Sequence, residues 1–141
     1  MPKIFLDTNV LIDIITARQQ PHVIFSQQLF ACALMGKITV CTSALSLVTV
    51  MYVAKRYGLS AEDTKTSIKR IIPYIDVIDL TAQNVIQMLD SPWNDYEDAT
   101  QHFSATSVQA DYIATGNIKD FTDSHIPAKT PQQLLQQLFL S

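Results

Sequence analysis

Lys3-Ile4-Phe5-Leu6-Asp7-Thr8-Asn9-Val10-Leu11-Ile12-Asp13 is the stretch on which the fold turns. Residues suited to a buried strand run into a carboxylate. Thr8 and Asn9 follow, both turn and N-cap formers, and then the apolar run Val10, Leu11, Ile12. The order reads as strand, sharp turn, helix, with Asp7 at the carboxyl end of the first strand. In open parallel sheets ligands bind at that edge. Asp7 could equally do no more than cap the helix that follows it, so the rest of the chain has to decide.

The chain has 141 residues, a length that suits one domain with a sizeable core. It is 48% hydrophobic and 16% charged, a globular rather than a disordered composition. Its longest apolar runs are broken by Ser, Thr or Lys, so no membrane span is expected. Met1-Pro2-Lys3 leads straight into the first strand, without the apolar segment of a signal peptide. Cys32 and Cys41 each sit in an apolar segment and read as buried thiols, which fits a reducing cytoplasm. No Cys or His cluster has zinc-ligand spacing. The net charge of −3 excludes a global electrostatic argument for nucleic-acid binding, leaving only local basic patches or metal ions.

Strand and helix signals alternate along the chain. Gln20-Pro21 opens a helix to about Met35, stopped by Gly36. Residues Lys37–Cys41 read as a second strand, and Thr42-Ser43 cap an apolar helix from Ala44 to Tyr57 that Gly58 stops. Ser60 caps an amphipathic helix from Ala61 to about Ile72, with Glu62 and Asp63 in its first turn; Pro73 ends it. Residues Tyr74–Leu80 read as a third strand, and Thr81 caps a short helix to Leu89. A loop through Trp93 precedes a helix from about Tyr96 to Val108 and a fourth strand, Asp111–Thr115. Ile126–Lys129 suits a short edge strand, and Thr130-Pro131 opens a last helix. This alternation predicts a parallel sheet of four or five strands with helices on both faces.

Carboxylates fall at comparable places in this frame. Asp7 ends the first strand, Asp95, Glu97 and Asp98 open the helix before the fourth, and Asp120 follows the fourth. Hard divalent cations such as Mg²⁺ take carboxylate oxygens and water rather than His or Cys. Carboxylates forced together repel one another unless a cation sits between them. Such a site suits phosphoryl chemistry, in which the cation activates water and clamps phosphate oxygens. Ordinary roles stand beside each of these. Asp95 and Asp98 suit a helix N-terminus in any case, and Asp120 suits a loop. Asp13 reads as a helix-surface acid, and Asp76 and Asp79 as solvent-facing acids of an edge strand. His22, His102 and His125 are scattered and read as surface or boundary residues. Arg18, Lys55, Arg56 and Lys119 are candidates to hold a phosphate backbone, each otherwise a solvated surface charge.

The segment Leu6-Asp7-Thr8-Asn9-Val10-Leu11-Ile12-Asp13 resembles the opening motif of PIN-domain proteins, the ribonuclease toxins of the VapC type. Asp95-Tyr96-Glu97-Asp98-Ala99, followed by Ala110 to Phe121, is similar to the second half of that pattern. Thr130-Pro131 with Leu134-Leu135 resembles its closing helix. The resemblance implies one PIN-like domain over residues 1–141, with a three-layer α/β/α fold. It implies a Mg²⁺- or Mn²⁺-dependent endoribonuclease acting on RNA, an antitoxin protein as partner, and frequent homodimers. Carried over position by position, Asp7 matches the first metal-binding acid and Asp98 the third. Asn117 or Asp120 falls where the fourth ligand lies, while Thr8, Asn9 and Thr115 match polar residues that shape the pocket.

One departure stands out. The family normally has a Glu in the helix after the second strand, and here that position is Thr49, with no carboxylate between Asp13 and Glu62. A Thr hydroxyl is a neutral and weaker magnesium ligand. Activity then rests on Asp7, Asp95, Asp98 and Asp120, or the chain is a degenerate member that only binds nucleic acid or protein. Two placements are expected. Asp7, Asp98 and Asp120 (or Asn117) should converge at the carboxyl edge of the sheet, and Glu97, next to Asp98 on a helix, should point elsewhere. A rival class, the phosphoacceptor receiver domain, would need an acidic pair after the first strand and a phosphoacceptor such as Asp76 or Asp79 on the third. Thr8 and Asn9 after Asp7 speak against it.

Overall fold

Five strands form one all-parallel sheet in the order β3-β2-β1-β4-β5. They are β1 (Lys3–Leu6), β2 (Thr39–Ser43), β3 (Ile75–Ile78), β4 (Tyr112–Ala114) and β5 (Ala128–Lys129). The computed structural model describes residues 1–139; positions 140–141, the tail of the 1–141 domain reading, lie outside the described residues. The helices are α1 (Thr8–Thr16), α2 (Val23–Leu34), α3 (Ala44–Val53), α4 (Ala61–Ile71), α5 (Ala82–Leu89), α6 (Tyr96–Ser107) and α7 (Pro131–Phe139).

The period-two geometry of the strands divides the core between the two faces of the sheet. Ile4, Leu6 and Val40 pack with Val10, Leu11, Leu47, Ile68 and Leu134, from α1, α3, α4 and α7. Phe5, Cys41 and Ile113 point the other way and pack with Ala105 of α6 and with Phe121 and Ile126. The result is the expected α/β/α layering, in which strands covered on both faces read as continuous apolar runs. Both cysteines are free and buried. Among the described residues no helix is long and apolar enough to cross a membrane.

Boundaries differ where caps and turns compete. The apolar run Ala44–Tyr57 is not one helix: it tightens into a 3₁₀ turn at Ala54–Tyr57, and Gly58 closes it at φ 84°, a left-handed conformation that suits glycine. The second strand starts two residues late and runs on through Thr42 and Ser43. The Thr42 hydroxyl bonds to the Leu6 carbonyl at 3.0 Å, while the Ser43 hydroxyl still caps α3 by accepting the Leu45 N–H. Asp76 and Asp79 are exposed, and β3 is an edge strand, as expected.

Two expectations about polar residues are overturned. Asp13 is not a surface acid; it is 2% exposed. Its carboxylate accepts from Arg18 Nε at 2.7 Å and from the Ser26 hydroxyl at 2.7 Å. The pattern within α1 does not reveal this, because α2 and the turn after α1 supply Ser26 and Arg18 over that face of the helix. Nor are the histidines all scattered surface groups. His102 is buried, stacks on Trp93 at 5.0 Å, meets His125 edge-on at 5.1 Å, and shares a 2.8 Å hydrogen bond with Ser124. The residues that bury it arrive from loops on either side of α6, so no local pattern announces it.

Candidate active site

Two helix starts meet at the carboxyl edge of the sheet, at the switch point where the strand order leaves β1 in both directions. Crevices of open α/β sheets form at such points. Asp7 is the N-cap of α1, and its Oδ1 accepts the Thr8 N–H at 2.7 Å. Its Oδ2 accepts the hydroxyl of Thr115, just past β4, at 2.7 Å. Both residues are buried, so β1 and β4 hold this carboxylate from beneath. Gln101 is also buried; its Oε1 accepts the Thr8 N–H at 3.2 Å, and its side chain supports the Asp7 carboxylate. On the second helix Asp95 is the N-cap, accepting the Asp98 N–H at 3.0 Å, with Glu97 and Asp98 in the first turn.

Asp7, Thr8, Asn9, Thr49, Asp95, Asp98 and Asp120 all line one open pocket. Thr115 lies beneath it, gripping Asp7. Asn117 stands outside the lining: it is exposed, and its backbone N–H is held by the Thr115 hydroxyl at 3.0 Å. Thr49 faces the pocket from α3, so the position where a Glu was expected does look into the site, with a neutral hydroxyl.

The expectation for Glu97 is corrected. It lines the same pocket as Asp98, and its Oε1 lies 3.1 Å from the Thr8 hydroxyl, which is also 3.0 Å from Ser46 Oγ. Separate helix faces divide neighbours along a helix body. Here the helix end itself faces the pocket, and a long side chain in the first turn reaches across it. Sequence reading also passed over Gln101 and Tyr57. Gln101 carried a usable signal, since it follows Glu97 by four residues and Asp98 by three, the spacings that share a helix face. Arg18 and Arg56 line the pocket as well, while Lys55 and Lys119 do not.

The electrostatics follow from this crowding. Burial pushes the Asp7 carboxyl above its usual range, hydrogen bonds from Thr115, Thr8 and Gln101 pull it back, and Glu97 adds to the upward push. Asp98 is pushed up to about 7, first by burial and then by Asp95, Asp120, Asp7 and Glu97. Carboxylates crowded so that Asp7 and Asp98 are pushed up form a site that a cation would relieve. Among the described residues no group of three or more His, Cys, Asp or Glu side chains is disposed to hold a metal ion as a ready-made cage. The donor set still fits Mg²⁺ or Mn²⁺ chemically. All its donors are hard oxygens, and Mg²⁺ commonly binds through one or two carboxylates with the remaining positions left to water and phosphate.

The family model of the PIN domain matches residues 3–119. No curated protein matches the sequence. Among solved structures, the chain is similar to VapBC2 from Rickettsia felis bound to a DNA fragment from its promoter. That match has TM-score 0.66 and 16% identity and covers 91% of this chain and 98% of the other. It is also similar to Mycobacterium tuberculosis VapC20, a sarcin-ricin loop cleaving toxin. There the TM-score is 0.68 and the identity 16%, over 85% of this chain and 94% of the other. A toxin-antitoxin complex from Klebsiella pneumoniae aligns with TM-score 0.64 and 23% identity, over 91% and 97% of the two chains.

Proposed function

The chain belongs to the PIN-domain family, and on that premise we propose that it is a metal-dependent endoribonuclease, a VapC-like toxin that hydrolyses RNA phosphodiester bonds and is neutralised by an antitoxin protein. The observation that carries the proposal is the meeting of Asp7, Asp95, Glu97, Asp98 and Asp120 in one pocket, built from the starts of α1 and α6. The fold likeness to a sarcin-ricin loop cleaving toxin and to a toxin-antitoxin complex supports the substrate class and the partner.

Asp7, Asp98 and Asp120 would hold the cation, with Glu97 supplying the carboxylate that Thr49 does not. Asn117 would join only through water, since it lies outside the pocket lining. A bound Mg²⁺ or Mn²⁺ ion supplies Lewis-acid polarisation of the phosphate and a more acidic water. The chain's own part is positional. Thr115 and the Thr8 N–H fix both oxygens of Asp7, Gln101 braces the turn, and Asp95 fixes the start of α6 that carries Glu97 and Asp98. Rigid placement of this kind is what lets a carboxylate set act on a substrate without reorganising.

A second reading rests on Thr49, which faces the pocket where a Glu is expected: a degenerate member that binds nucleic acid or a partner without cutting. One experiment separates the two. RNA cleavage is measured with Mn²⁺ or Mg²⁺ for wild type, Asp7→Asn, Asp98→Asn and Thr49→Glu. Cleavage by wild type that either Asp variant abolishes supports the nuclease. A silent wild type with activity gained in Thr49→Glu supports the degenerate member. Undiminished cleavage in both Asp variants overturns the site.

A further inference from the structure

The pocket that gathers the carboxylates also carries a cationic wall, and one arginine in that wall is built in rather than loosely solvated. Arg18 follows α1, and its Nε donates to the buried Asp13 at 2.7 Å. Its Nη1 donates to the Tyr57 hydroxyl at 2.8 Å, and its guanidinium carbon lies 5.2 Å from the centre of the Tyr57 ring. The Arg18 side chain is 14% exposed. Its second Nη finds no hydrogen-bond partner among the described residues, although Arg18 lines the pocket. Arg56 lines the same pocket and has no ion-pair partner among the described residues.

Three considerations decide what this arrangement is for. Nothing in the fold requires Arg18 to face the carboxylates, since its own counter-ion, Asp13, is buried beneath it. Two anchors fix its planar fork in place, which lowers the entropy cost of each hydrogen bond that the remaining N–H groups form. The nine residues of α1 rise about 13.5 Å, so the Arg18 backbone, which follows α1, stands well away from that of Asp7. The Arg18 ion pair is with Asp13 and not with the pocket carboxylates, yet Arg18 borders the same pocket. The favoured ligand is an extended anion that touches the carboxylate site and continues past it. A nucleic acid strand fits, because a phosphodiester presents anionic oxygens at intervals and the guanidinium fork matches them.

We propose that Arg18, held by Asp13 and Tyr57 and joined by Arg56, binds a backbone phosphate of the RNA strand next to the one at the carboxylates. Asp13 and Tyr57 are positioning residues for it. The proposal rests on the RNA-nuclease reading above and names a second contact on the same strand.

The test is fluorescence anisotropy of a labelled single-stranded RNA 12-mer, titrated with wild type, Arg18→Lys, Arg56→Gln, Tyr57→Phe and the control Lys65→Gln. It is run in Ca²⁺ and again in EDTA, with thermal melts of each variant. Arg18→Lys keeps the charge that pairs with Asp13 and loses the fork; binding is expected to weaken about tenfold at an unchanged melting temperature. Arg56→Gln is expected to lower the salt dependence by roughly one phosphate's share, and Lys65→Gln to change nothing. Arg18→Lys binding within twofold of wild type overturns the phosphate contact and leaves the nuclease reading intact. Absence of RNA binding by wild type under both conditions overturns both. Should Arg18→Lys fail to fold, Tyr57→Phe decides, a weakening of about threefold supporting the contact and unchanged binding overturning it.

Discussion

Glu97 Oε1 accepts a hydrogen bond from the Thr8 hydroxyl at 3.1 Å, and this contact ties the first turn of α6 to the first turn of α1. A carboxylate thereby reaches the pocket that the neutral Thr49 also lines, from a different helix. The Glu97 charge beside Asp7 adds to the upward push that burial gives the Asp7 carboxyl.

Glu97→Gln removes this charge at nearly constant shape. It is expected to weaken Mn²⁺ binding about tenfold or more, measured by calorimetry or by quenching of the Mn²⁺ paramagnetic resonance signal. Glu62→Gln, on the exposed first turn of α4, serves as the control and should not change affinity. Equal affinities for both variants would remove Glu97 from the site.

The raised Asp98 makes stability depend on pH with a defined sign. Its folded value of about 7 lies above the ordinary 3.8, so the folded state binds the proton more tightly than the unfolded chain. Stability from this group is complete below about pH 4 and is lost as pH rises through 7. In the absence of divalent ions Asp98→Asn should therefore melt above wild type at pH 8. That advantage should shrink steadily on acidification. A constant offset across the range would contradict the crowding of carboxylates described here.

His102 runs the other way. Burial, with His125 close by, holds its imidazole below the ordinary 6.5. The unfolded chain then takes up the proton first, and stability is lost as pH falls below 6.5. His102→Phe keeps a ring against Trp93 and removes the titration. The drop in melting temperature between pH 7 and pH 5 should be smaller in the variant than in wild type.

Removing Asp13 breaks the pair that holds Arg18 and leaves Ser26 without its acceptor. Loss of one partner of a buried ion pair costs about 3–5 kcal/mol in general, and here about 2–3 because Arg18 can turn to water. Urea unfolding of Asp13→Ala measures this. A cost under roughly 0.5 kcal/mol would place Asp13 among ordinary surface acids.

The order of strands and helices, the all-parallel sheet and the position of Asp7 at a strand end were legible in the chain itself. They depend on local rules: apolar runs with period, Ser and Thr caps, glycine stops, and a Pro after a Thr at the last helix. Ser43, Ser60, Thr81 and Asp95 cap the helices that their positions announce. Tertiary structure decided what those rules do not reach. Glu97 joined the site because α6 points its end, not its side, at β1. Asp13 became buried because α2 folds over α1, and His102 because Trp93 and Ser124 close on it from separate loops. Each of these outcomes depends on the relative placement of elements distant in sequence. Side-chain reach and burial are set by that placement, and periodicity within one element carries no record of it.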